Sequence, residues 1–259
     1  MITVPLAAYE DDEGNRIEYD GPPRENITIA FRGGGNLVRV HAKASATKLH
    51  VDFNSSNGTF ILGANPHQRA FSAGVRVGED ATVRIGNGVS ATAAVTISAV
   101  EGVSVIIGND VMFATANQVR ADDGHPIFDV RSGKRVNKAR SIRIGDHVWL
   151  AYGAMVLAGA TIGEGSVIGA GSIVTRRIPN NVIAVGSPAT VVRKDIAWER
   201  PHLGLVAPFY KPDASTVQKS KYWNRTVENG TAIRRTFLGR VARRLRRMVR
   251  AVRSPRASR

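Results

Sequence analysis

The sequence predicts an all-β chain coiled as a parallel β-helix, with a C-terminal cationic α-helical extension. Three observations predict it. Aliphatic residues recur at every sixth position over Ile144, Leu150, Val156, Ile162, Ile168 and Val174, a period that fits neither a helix at 3.6 nor a strand alternating at 2. Small residues keep register with them, at Gly145, Ala151, Gly163 and Gly169 one place on and at Ala154, Ala160, Ser166 and Ser172 four places on. Charge is segregated: the net charge is +15, and residues 229–259 hold eleven Arg and no acid, so the other 228 residues carry only +4.

The elements follow in order. Residues 1–35 are polar, with Gly21-Pro22-Pro23 and Gly33-Gly34-Gly35, and read as an irregular N-terminal cap. Residues 36–198 form the β-helix. Three strands of about six residues make one triangular coil, and each coil buries its apolar face only by stacking on the next. From 36 to 84 the period is ragged, as in irregular early coils. It then settles at Ile85, Ala91, Ile97 and Val103, and after a four-residue step runs on through Ile107, Phe113, Val119 and His125. It is lost from Val130 to Arg143, resumes at Ile144 and stops after Val192-Arg193-Lys194. Residues 199–259 are an extension, broken early by Pro201, Pro208 and Pro212. Within it, Phe237, Leu238, Val241, Leu245, Met248, Val249 and Val252 fall at spacings of three and four, one stripe of a helix whose remaining face is Arg-rich. A cationic amphipathic helix of this kind suits an anionic membrane surface, and equally an acidic polysaccharide, another polyanion, or docking on the β-helix with its basic face in water.

The composition excludes much. No Cys occurs in the 259 residues, which removes disulfide frameworks, Cys-ligated zinc, iron–sulfur clusters and thiol nucleophiles. No run of ~18 apolar residues suggests a membrane span. The N-terminus lacks the basic and apolar regions of a signal peptide, so a cytoplasmic location is expected, with peripheral contact at the inner membrane face through the cationic helix. His41, His50, His67, His125, His147 and His202 show no spacing for a metal ligand set, and no metal is expected. Phosphate-loop, dinucleotide and serine-elbow motifs are absent, as is the basic–aromatic interleaving of a nucleic-acid platform.

The segment Asp122-Asp123-Gly124-His125-Pro126-Ile127-Phe128-Asp129 carries the candidate chemistry. His125 falls at an inward position of the hexad, where an imidazole is unwelcome, and Gly124 and Pro126 mark where the chain leaves the coil. Loops on a rigid scaffold carry function, although a lone loop histidine is as readily a solvated one. A neutral imidazole can take the proton of a poor nucleophile such as a hydroxyl as it attacks, with no covalent enzyme intermediate. Asp122 or Asp123 either orients the ring or makes a surface turn.

From Asp123 to Lys194 the chain resembles the hexapeptide-repeat acyltransferases that O-acetylate sugars and polysaccharides. The resemblance rests on Asp-Gly-His-Pro-Ile-Phe-Asp, the excursion Gly133-Lys134-Arg135-Val136-Asn137, Ile144-Gly145-Asp146-His147-Val148-Trp149, the run Ile162 to Ser172, and Gly186-Ser187-Pro188-Ala189. The Asp-Gly-His form with its Asn137-containing excursion is most similar to the capsular polysaccharide and polysialic acid O-acetyltransferases. The resemblance implies a left-handed winding, a homotrimer with active sites between subunits, acetyl-CoA as acyl donor, a glycan acceptor, and His125 as general base. It also implies that Trp149 flanks the acetyl or acceptor pocket, and that Tyr152, Ala170, Thr175, Arg176, Thr190 and Arg193 contact the donor. In that set Arg176 and Arg193 suit coenzyme A phosphates, and Ala170 lets the pantetheine lie against the backbone. One departure stands out: relatives read Trp-Ile-Gly where this chain has Trp149-Leu150-Ala151-Tyr152. Two other functions stay open, a same-fold enzyme with a small acceptor (an amino sugar, serine or an antibiotic) and a catalytically silent β-solenoid scaffold.

Overall fold

The computed structural model describes residues 1–228; the predicted cationic helix over 236–253 lies outside the described residues. Within them the chain is all β, with 23 strands and a single 3-10 turn at Ala214–Thr216. Three sheets of eight, six and nine strands form the faces of a solenoid, called here the first, second and third. Strands on one face pair in parallel, each with its counterpart one coil later, as Ile97 pairs with Val119, Val119 with Val156 and Val156 with Val174 on the first face.

The hexad sets this arrangement. Ile144 pairs with Ile162 on the third face, Leu150 with Ile168 on the second and Val156 with Val174 on the first, eighteen residues apart each time. All six side chains are buried in the axial core, as are Ala154, Ala160, Ser166 and Ser172. The small residue after each aliphatic answers a close approach at the corner: a Cβ on Gly145 would lie 2.7 Å from the Glu164 backbone nitrogen of the next coil.

The earlier coils are wider and more regular than their ragged sequence suggests. Val83 pairs with Val105 and Ile97 with Val119, twenty-two residues on. The added four residues fall at one corner, between the first and third faces, where the chain takes ten residues from Ile97 to Ile107 but six from Val156 to Ile162. There Val103 is only half-buried, and Val105 and Ile107 point into the core instead. Residues 1–35, expected to be irregular, hold four strands. Arg16–Glu18 and Arg24–Phe31 pair in parallel with the following coil, so the solenoid begins ahead of residue 36. Ile2–Leu6 and Tyr9–Glu10 pair antiparallel with these strands and cap the first and third faces at that end.

At the other end Ala189–Arg193 turns back antiparallel on Ile183–Gly186. The chain beyond then runs back over the second face. Arg200 donates to Asp110 Oδ1 at 2.6 Å and to Ser90 Oγ at 2.9 Å, fastening residues ninety or more apart in sequence.

Candidate active site

The wide corner is where the excursion leaves the coil. Ala121 is the last buried apolar residue before it and Ile142 the first after it. Beyond it the corner narrows, so the excursion stands on a step between wide and narrow coils. It folds as a small hairpin: Val136 N donates to Ile127 O at 2.9 Å and Asp129 N to Lys134 O at 2.9 Å, with Phe128 bridging Arg135. The Asp129 carboxylate caps its turn by accepting from Ser132 N at 2.7 Å and Ser132 Oγ at 2.8 Å; these bonds, the hydroxyl first, hold its carboxyl below the usual range.

His125 opens this hairpin and is exposed, not inward as its place in the hexad suggested, because the chain departs the coil at Asp122. Asn137 fixes its backbone: Nδ2 donates to His125 O at 2.8 Å and to Asp123 Oδ2 at 2.9 Å, and Oδ1 accepts from Ile127 N at 2.7 Å. Asp122, 4% exposed, does not touch the imidazole. It pairs with Arg76 and accepts from Ser98 Oγ and from Gly124 N. It therefore anchors the hairpin root, and neither aspartate orients the ring. Glu101 accepts from Arg135 and from Ala139 N on the returning strand, and those bonds hold its carboxyl below the usual range.

The imidazole of His125 has no hydrogen-bond partner among the described residues, so its ring is open to a ligand. Beneath it lies a groove of about 460 Å³ along the wide corner, lined by Ser55, Arg76, Glu79, Glu101, His125 and Arg135 among others. The four extra residues per coil build its walls, since Ser55, Glu79 and Glu101 are corner residues of three successive coils.

The other predicted residues fall into three places. Trp149 lies on the second face, across the coil from the His125 corner, beside Met112 and Val167 on the neighbouring strands. Tyr152, 63% exposed, and Ala170 occupy one corner position on successive coils between the second and first faces, where Gly171 N donates to Tyr152 O at 2.8 Å. Thr175 and Arg176 are exposed on the first–third corner, which also bears the hairpin, and Thr190 and Arg193 are exposed on the closing antiparallel strand. Within one chain His125 and Trp149 are not brought together.

Sequence reasoning missed a second cluster. His147, 2% exposed, is flanked by Trp198 and Tyr222, with ring centroids 4.1 and 4.5 Å away. Its Nδ1 lies 2.6 Å from Asp110 Oδ2 and its Nε2 2.9 Å from Trp198 O. Asp110 and His147 hold the same corner position on successive coils, both left-handed at φ +58° and +53°, which is why their side chains meet. Burial alone raises the Asp110 carboxyl, but the hydrogen bond with His147 and the Arg200 guanidinium outweigh it and hold the group below its ordinary value.

Stacked hexad coils and an exposed histidine on a braced hairpin are the layout of a β-solenoid acyltransferase. Comparison with known proteins agrees. Residues 141–176 match the family model of the bacterial transferase hexapeptide (six repeats). The polysialic acid O-acetyltransferase of Escherichia coli O1:K1 / APEC is 46% identical over 97 residues, 38% of this chain and 32% of that protein. That of Neisseria meningitidis is 35% identical over 157 residues, 58% of this chain and 69% of that one. The crystal structure of the polySia-specific acetyltransferase NeuO superposes with a TM-score of 0.65 at 31% identity, covering 72% of this chain and 83% of NeuO. The chain belongs to the hexapeptide-repeat acyltransferase family, in the company of the polysialic acid O-acetyltransferases. It spans about a third of the E. coli relative's length.

Proposed function

We propose that this protein transfers an acetyl group from acetyl-CoA to a hydroxyl of a sugar or cell-surface polysaccharide, with His125 as general base. One observation carries the reading: an exposed imidazole without a partner among the described residues stands over a corner groove, its backbone held by Asn137. The imidazole takes the hydroxyl proton as the oxygen attacks the thioester carbonyl, the C–S bond breaks as the ester forms, and the proton passes to the departing thiolate. That relatives of the chain are polysialic acid O-acetyltransferases supports the acceptor class.

The donor runs along the late coils, past Tyr152 and Ala170 towards Thr175, Arg176, Thr190 and Arg193. Because His125 and Trp149 lie on separate sides of one coil, a homotrimer with left-handed coils completes the site by setting the hairpin of one copy against the Trp149 face of the next. The enzyme works in the cytoplasm, held near anionic lipid by its Arg-rich terminus. Thioester cleavage from acetyl-CoA, measured with and without a panel of glycans, tests the reading. Glycan-dependent release of free thiol is expected. Release with serine, amino sugars or antibiotics alone makes it a small-acceptor enzyme, and none at all leaves a silent scaffold.

A further inference from the structure

The chain has three tryptophans in 259 residues and only 6% aromatics. All three, Trp149, Trp198 and Trp223, line a single cavity of about 510 Å³ between the second face and the returning C-terminal segment. Met112, Leu203 and Val217 add apolar lining. Chance does not gather every indole of an aromatic-poor chain around one opening, and the volume is that of a small-ligand site.

The walls are held in place. Trp198 stacks on His147 and donates its indole N–H to His147 O at 3.0 Å. Trp223 donates to Glu199 Oε1 at 2.7 Å and carries the Lys219 ammonium 4.7 Å from its ring centroid. Trp149 lies tilted at 46° to Trp198 with centroids 5.9 Å apart, and its indole N–H has no partner among the described residues. The cations at the cavity are engaged within the chain: Arg200 with Asp110 and Ser90, and Lys211 with the carbonyls of His202, Val206 and Pro208.

We infer that this three-tryptophan cleft is a glycan subsite that binds pyranose rings of the acceptor by their faces. A pyranose presents a flat C–H face and a rim of hydroxyls. Rigid indoles pack against the first, and the open Trp149 N–H, with Glu199 and Asp213 at the margin, hydrogen-bonds the second. Since its cations already have partners, the cleft selects for ring shape and not for a sugar's negative charge. The inference rests on the O-acetyltransferase reading and adds to it the segment 197–223 as the acceptor-holding wall.

Because every tryptophan lies in the cleft, intrinsic emission of the full-length protein reports on it alone. Neutral and acidic oligosaccharides titrated without acetyl-CoA should change that emission at similar concentrations and with little dependence on salt. Trp223→Ala, at the half-open rim, should raise the acceptor KM about tenfold, leave kcat and the acetyl-CoA KM near normal, and be rescued by Trp223→Phe. An unchanged acceptor KM in Trp223→Ala overturns the inference. So does dissociation of the oligomer in that variant, which would show Trp223 to be a subunit contact and not a wall for the glycan. If no glycan is acetylated yet oligosaccharides still shift the emission in a Trp223-dependent way, the transferase reading fails and the subsite stands.

Discussion

His147 lies flat against Trp198, their planes 12° apart and their centroids separated by 4.1 Å, while its Nδ1 reaches back 2.6 Å to Asp110 on the coil beneath. This clasp ties the C-terminal segment to the solenoid and sets the indole beside Trp149. Tyr222 closes the other side of the stack, and Asn181 Nδ2 donates to Tyr222 O at 2.7 Å, so residues up to the low 220s are part of the folded body.

The clasp should be sensitive to acid. The Asp110 carboxyl sits below its ordinary value when folded, so its contribution is complete above the unfolded carboxylate pKa of about 3.9 and is lost as pH falls through the lower folded value. Melting temperature measured against pH should fall below about pH 4. Asp110→Asn should cost about 2 kcal/mol at neutral pH, the scale of a charged hydrogen bond, and flatten that acid limb. A limb unchanged in the variant would place the acid sensitivity elsewhere.

His125→Ala should lower kcat by ~10²–10⁴, the usual worth of a general base, and leave acetyl-CoA binding intact. The imidazole supports no fold contact, so the melting temperature should not move. Near-normal turnover would end the proposed mechanism.

Asn137 makes three hydrogen bonds that set the His125 backbone without touching the ring. Asn137→Ala should therefore reduce kcat roughly ten- to a hundredfold, as small misplacements of a catalytic group do, with little change in the KM for acetyl-CoA. Steady-state kinetics beside a thermal melt separate this positioning role from a general loss of fold.

Ile168 is fully buried between Leu150 and Ala184 on the second face. Ile168→Asp places a carboxylate in a dry axial core and should cost several kcal/mol. Soluble, fully active Ile168→Asp protein would show the hexad register to be wrong.

The Arg-rich terminus should bind anionic vesicles with an affinity that falls steeply with salt, at up to ~1 kcal/mol per basic residue near the surface. A chain ending at Glu228 removes it and spares Tyr222, Trp223 and Thr226, whose contacts with His147, Glu199 and Asp195 belong to the fold. That chain should acetylate a soluble glycan at the full-length rate and no longer co-sediment with vesicles. Co-sedimentation at the full-length level would put the membrane contact elsewhere.

By itself the sequence determined the solenoid, the inward aliphatics and the one long excursion, because a period of six with small corner residues has few structural solutions. It also marked His125, through a polar interruption of an apolar rhythm. What only the tertiary structure decided depends on contacts between distant coils. The ragged period of 36–84 reads as irregular until pairing shows coils of twenty-two to twenty-four residues, widened at one corner. Residues 1–35 read as a cap because Arg16–Glu18 and Arg24–Phe31 join the solenoid only by pairing with the coil that follows. The clasp was illegible for the same reason: Asp110 and His147 are thirty-seven residues apart, and Trp198 and Tyr222 arrive from a segment with no period. Solenoid stacking converts a fixed interval along the chain into adjacency in space, and the excursion, by lengthening one coil, hid that interval from the sequence.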